Sequence, residues 1–265
     1  MTCNYNYIVL FRSYGHKWYF GAIERRSHTQ STFDWHDGSI VSMGFLRNDE
    51  IYIFTELSVT IYSISKRASI DNRILKQGTN ENYDINQHQR GIGTVFGDSM
   101  YHMYLNRSSH WTISKFLLNP YKSDGDYDLT LLYPNVRQFI HLCINKRTWN
   151  FLVQMDDYTY AVVYCYPTDF RSTQPRKEIV LENARKPLTI YSAYNEFLKC
   201  DLFFINDPLG DTLHVITLDS YFYSYSMKAH AICYAEENNE LMILTDNSIS
   251  SINLNKHNFA LTDNR

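Results

Sequence analysis

One pattern recurs six times along the 265 residues: a short aromatic and aliphatic run, a tight polar turn, then a second run of the same kind. The runs are Lys17–Ala22, Ile51–Thr55, Met100–Leu105, Trp149–Gln154, Asp201–Ile205 and Glu240–Thr245. Their mean spacing is about 44 residues, a period at which each unit is one supersecondary element that hides its apolar face against the next. That constrains the fold more than any single motif, because a stacked architecture must repeat its own interface.

Within each period the dominant alternation is that of strands, and helical stripes are scarce. The strands group as Tyr5–Arg12, Lys17–Ile23 and Ser31–Trp35; then Ile40–Leu46, Ile51–Thr55 and Val59–Ile64; then Gly93–Phe96, Met100–Leu105, Trp111–Leu117 and Leu129–Tyr133. They continue as Phe139–Ile144, Trp149–Gln154, Thr159–Tyr166 and Glu178–Leu181; then Leu188–Ser192, Leu202–Ile205, Thr212–Thr217 and Tyr221–Ser226; and last Ala231–Tyr234, Glu240–Thr245 and Ile249–Leu254. Turn residues separate them, as at Gly97-Asp98, Asn145-Lys146, Asp156-Asp157, Asn206-Asp207 and Asn238-Asn239. The expected fold class is all-β: one β-propeller over residues 1–265, with six blades of three to four antiparallel strands. The first and last groups are one strand short, so the ring is expected to close through the termini, with Tyr5–Arg12 or the segment around Ala260 supplying the strand. Two packed β-sandwiches, or a ring of five or seven blades, are the competing arrangements.

Composition agrees with a large β core. Hydrophobic residues make up 44% and aromatics 15%, with 22 Tyr and 15 Phe, side chains that suit a pleated, packed surface. The net charge of −3 argues against bulk binding to nucleic acid or acidic membranes. Five cysteines, at 3, 143, 165, 200 and 233, form no CxxC pair, which excludes a zinc ribbon and favours a reducing compartment. The N-terminal residues show no basic leader, and no run approaches 18 apolar residues. A cytoplasmic or nuclear protein without membrane partner is the expectation.

Reactive constellations are thin. His102 and His110 fall on successive strands and His28 and His36 share a loop, but no HExxH or Cys/His pairing accompanies them. His141 and His214 read as half-buried structural residues. Cys143 lies two positions from His141 on one strand face, among Ile140, Leu142 and Ile144, which suit a buried strand better than an exposed thiolate. Asp124, Asp126 and Asp128 alternate as calcium ligands do, but Gly125 and Asn135 break the EF-hand pattern. They read instead as part of a solvated loop, Asn119–Asp128; Asp71–Arg90 and Pro167–Lys177 are the other long loops. No catalytic residue, metal site or small-molecule cofactor is expected.

The repeat resembles the β-propeller superfamily that includes WD40 and kelch proteins. Gly15-His16 occurs once, no Trp-Asp pair occurs, the nearest string is Asp34-Trp35-His36-Asp37, and there is no Gly-Gly pair. The resemblance therefore implies a fold and carries no residue roles. A non-enzymatic interaction module is the expected function, an adaptor or scaffold that binds another protein or complex. An alternative is binding of RNA or single-stranded nucleic acid. It rests on the basic pairs Arg25-Arg26, Lys66-Arg67, Lys146-Arg147, Arg176-Lys177 and Arg185-Lys186, near exposed-looking rings such as Trp149 and Tyr62. A carbohydrate-binding propeller is a second alternative. The candidate binding residues are Trp149, Arg147, Tyr101, Trp111, Arg176 and Lys177. Tyr158, Tyr160, Tyr164 and Tyr166 alternate strictly, as do Tyr221, Tyr223 and Tyr225, either as recognition surfaces or as rings packed between blades.

Overall fold

The computed structural model describes residues 1–14, 17–55, 58–74, 92–106, 108–119, 121–166, 177–195, 199–217, 221–246 and 248–254. It is all-β, with six sheets of three to four antiparallel strands, the blades of a β-propeller. The chain divides into two compact units, Met1–Pro134 and Asn135–Arg265.

The first unit holds three four-stranded sheets, each a meander in chain order. They are β1 (Thr2–Cys3), β2 (Tyr7–Tyr14), β3 (Lys17–Glu24) and β4 (Gln30–Trp35); β5 (Ser42–Phe45), β6 (Glu50–Phe54), β7 (Ser58–Ser63) and β8 (Ala68–Ile74); and β9 (Ile92–Phe96), β10 (Ser99–Leu105), β11 (Trp111–Leu118) and β12 (Tyr121–Asp128). A single helical turn, α1 (Leu129–Leu132), follows.

The second unit repeats the plan. Its sheets are β13 (Gln138–Ile144), β14 (Trp149–Gln154), β15 (Tyr160–Cys165) and β16 (Lys177–Leu181); β17 (Thr189–Asn195), β18 (Cys200–Asp207), β19 (Thr212–Thr217) and β20 (Tyr221–Ser226); and β21 (Ala231–Ala235), β22 (Glu240–Leu244) and β23 (Ile249–Asn253).

The visibility of the repeat follows from the packing. Successive side chains of a strand point to opposite faces. In β6, Ile51 and Ile53 join a cluster with Val9, Phe20 and Phe33 of the first sheet. Tyr52 and Phe54, on the other face, pack with Met100 of the third. In β18, Phe203 and Ile205 meet Leu152 and Val162 of one neighbouring sheet, while Leu202 and Phe204 meet Leu241 and Ile243 of the other. A strand covered on both faces has no solvent side, so it reads as an unbroken apolar run. Five of the six recurring runs are the second strand of their sheet, and the first, Lys17–Ala22, is a third strand.

Three expectations are corrected. Asn119–Asp128 is not a loop: Tyr121–Asp128 is β12, the fourth strand of its sheet. Its apolar content is low because it is an outer strand, and its acids pair across to β11 instead of packing in a core. Leu129–Tyr133 is not a strand. Asp128 caps α1 by accepting from the Leu131 amide at 3.0 Å. Asp71, read as the start of a loop, lies within β8, while residues 75–91 lie outside those described. Tyr5–Arg12 overlaps β2, which pairs with β1 and β3 in the first sheet. The segment around Ala260 lies outside the described residues.

Candidate docking surfaces

In a four-stranded meander, the turns between strands one and two and between strands three and four lie at one end of the sheet. The turn between strands two and three, with the link to the next sheet, lies at the other. Arg25-Arg26, Arg47 and Lys66-Arg67 all fall in turns of the first kind, on the first two sheets. Hydrogen bonds tie these turns together. Asn4 Nδ2 donates to the Asn48 carbonyl at 2.9 Å, Arg25 donates to the Asn4 carbonyl at 3.1 Å, and Arg67 reaches Ser31 Oγ at 3.4 Å. Arg26 donates to Tyr5 Oη at 3.0 Å and lies over the Tyr5 ring, 5.3 Å from its centroid. Arg26, Arg47, Lys66 and Arg67 are exposed, as is Tyr5. In the second unit Lys146-Arg147 occupies the β13–β14 turn, an end of the same kind, whereas Arg185-Lys186 lies in the β16–β17 link, at the other kind of end.

The turns are held by their own side chains. Asn4 Oδ1 accepts from the amides of Asn6 and Tyr7 at 2.9 and 2.8 Å. Asn145 Oδ1 accepts from Arg147 and Thr148, both at 2.8 Å. Asp156 Oδ1 accepts from Tyr158 and Thr159, both at 2.8 Å, and these bonds hold its carboxyl below the usual range. Asn106 does the same for Ser108 and His110. A side-chain acceptor two to four residues upstream replaces water on otherwise orphaned amides and fixes the loop before any partner arrives.

Beneath the β13–β14 turn lies a buried polar network. Asn145 Nδ2 and Asn150 Nδ2 both donate to Ser192 Oγ, at 3.0 and 3.1 Å, joining one sheet to the next. Thr148 donates to Asn150 Oδ1 at 3.0 Å. Cys143 Sγ is 3.6 Å from Ser192 Oγ. Asp201 closes the network. Burial pushes its carboxyl up, against the pull of nearby Arg147 and a bond from Asn145. At the other end of β18, Asp207 accepts from the amides of Arg185, Lys186 and Gly210, at 2.6, 3.0 and 2.9 Å. These groups are engaged in holding turns and sheets.

The candidate residues divide. Trp149, Tyr101 and Trp111 are only 3%, 6% and 4% exposed, so as stacking surfaces the three rings are out of reach. Arg147 is exposed and lies over the Tyr194 ring at 5.1 Å. Lys177 opens β16, its side chain outside those described, and Arg176 lies outside the described residues. Tyr62, read as exposed, packs edge-on against Phe20 and Phe33. Of the tyrosine stripe, Tyr160 and Tyr164 are buried while Tyr158 and Tyr166 are exposed. Reading the sequence placed a turn at Asn145-Lys146 but missed the exposed Tyr5 and the Asn side chains that clamp the turns, although an Asn three to five residues before a new strand was a usable signal.

The described histidines do not gather. His102 stacks on Tyr104, whereas His110 binds Asp128 at 2.7 Å. Among the described residues no group of three or more His, Cys, Asp or Glu is placed to hold a metal ion. The acids of β12 are each matched to β11 or its flank: Asp124 to Lys115 at 2.6 Å, Asp126 to Ser114, and Asp128 to His110. Among the described residues no helix is long and apolar enough to cross a membrane.

No protein-family model and no curated protein matches the chain by sequence. Solved structures do. The WD40 domain of Toxoplasma gondii coronin matches with a TM-score of 0.59 at 8% identity, over 94% of this chain and 78% of that one. A protein of unknown function from Bacteroides caccae matches at 0.55 and 12% identity, over 90% and 82%. U3-55K matches at 0.50 and 10% identity, over 86% and 70%. At such identities the likeness shows the fold alone, a β-propeller.

Proposed function

We propose that this chain is a single-domain, non-enzymatic docking module, an adaptor or scaffold subunit that binds another protein through the loop ends of its blades. The observation that carries the reading is the set of clamped turns at Asn4, Asn106, Asn145 and Asp156. A loop already fixed in one conformation loses little freedom on association, so more of the contact energy appears as affinity. The same loops present exposed cations and rings on a backbone supported by fully packed sheets. A fold of this kind, with reducing-compartment cysteines, fits a cytoplasmic or nuclear assembly. Cross-linking in native extract of the source cells tests it. Cross-links to a partner protein are expected at loop lysines such as Lys66, Lys146 and Lys199. A chain that migrates alone in such extracts, with no cross-link beyond itself, would defeat the proposal.

A further inference from the structure

We infer that the basic end of the first two sheets is a docking site and that its occupant is an acidic polypeptide segment, rich in Asp and Glu. This rests on the docking reading above and names the partner's chemistry. The chain as a whole carries a net charge of −3, yet Arg25, Arg26, Arg47, Lys66 and Arg67 converge at this one end. Three carboxylates lie among them, Glu24, Asp49 and Glu50, so the cations are in excess by five to three. Asp49 accepts from the hydroxyls of Ser65 and Ser63, bonds that hold it below the usual range. Glu24 accepts from Ser27 at 2.6 Å, and Glu50 faces Arg47 at 3.9 Å. Arg26 and Arg67, by contrast, donate to neutral hydroxyls, of Tyr5 and Ser31, which a carboxylate would outcompete as an acceptor.

Two arguments favour carboxylates over a nucleic acid. Four of the five cations are arginines, whose planar fork matches a carboxylate through two parallel bonds. A single-stranded nucleic acid needs a series of rings on which successive bases stack. Here Tyr5 is exposed but already covered by Arg26, and Phe20, Phe33 and Tyr62 pack against one another in the core. A long polyanion would also meet the repulsion of the whole acidic chain, whereas a short segment senses mainly the field within one screening length.

The test uses the intact protein and a short fluorescein-labelled peptide of alternating Asp and Glu, with an oligouridylate of equal length as comparison. Peptide binding is expected to weaken with added salt. It should fall about tenfold or more in a variant carrying Arg26→Glu, Lys66→Glu and Arg67→Glu, because three attractions become repulsions. Lys186→Glu, at the other kind of sheet end, is expected to leave it unchanged. Circular dichroism of the variants establishes that the sheets are intact. Tighter binding of the oligouridylate through the same residues, equal weakening by Lys186→Glu, or no peptide binding at all would each overturn the inference. Loop-lysine cross-links that persist in those cases would leave the docking function standing and remove only the acidic partner. Loss of both would remove the two together.

Discussion

Acidifying from pH 7 toward pH 4 is expected to remove up to a few kcal/mol of folding stability, beginning well above the range in which carboxylates protonate. His102 is buried, its Nε2 has no hydrogen-bond partner, and burial lowers its pKa from 6.5 to about 4. His141 is lowered to about 4 as well, chiefly by burial, with its Nδ1 sealed and unpartnered. In the unfolded chain each imidazole takes up a proton near pH 6.5; in the folded chain it does so only near pH 4. Between these values the unfolded state holds more protons, so stability is complete above the upper value and drains as pH falls through the window. Full burial sets an upper limit of about 3 kcal/mol for His102. The residue-level exposure of His141 is intermediate, so its share is smaller. His214 acts in the same direction, opposed in part by Asp207 at 4.0 Å. Urea midpoints taken across this range measure the effect. A variant with His102→Phe and His141→Phe should show a flatter profile; an unchanged profile would show that neither ring stays neutral.

Substituting Gly93→Val is expected to cost about 3 kcal/mol, the upper range for overpacking a tight interior. Gly93 lies in β9 directly beneath the Phe54 ring of the preceding sheet, and even a Cβ there would overlap the ring. The strand cannot simply withdraw, because Ser42 Oγ donates to the Gly93 carbonyl at 2.5 Å. Phe54 is itself 1% exposed and packed with Tyr52 and Met100, so it has nowhere to turn. The second partner settles the cause. Removing the ring by Phe54→Ala opens the space that the added isopropyl group would need, so the two changes together should cost clearly less than the sum of the single costs. Additive costs would mean that this glycine does not set the sheet spacing.

The legible part of the fold was the part with no solvent face. The six apolar runs stand out because residues such as Ile51 and Phe54, or Phe203 and Phe204, pack in opposite directions against two neighbours. Outer strands were harder. β12 consists of Tyr, Lys, Ser, Asp and Gly and is held by pairing to β11 through Lys115–Asp124 and Ser114–Asp126, a partnership invisible to hydrophobic periodicity. The two residues of β1 are too short for any periodic signal. At the surface, the basic pairs were readable as strand-end residues. Which rings accompany them was not, since exposure is set by tertiary packing that periodicity does not encode: Trp149 is covered, and Tyr5 is open. The abundance of Asn has a structural use in part, since Asn4, Asn106 and Asn145 each hold a turn.

The central claim is that the loops are ordered before a partner binds, and amide hydrogen exchange on the isolated protein measures this directly. The amides of Tyr7, His110, Thr148 and Thr159, each bonded to an upstream Asn or Asp side chain, are expected to exchange at least about a hundredfold more slowly than an unstructured chain. Exchange of these four amides at the unstructured rate, while β6 and β18 stay protected, would contradict preformed loops.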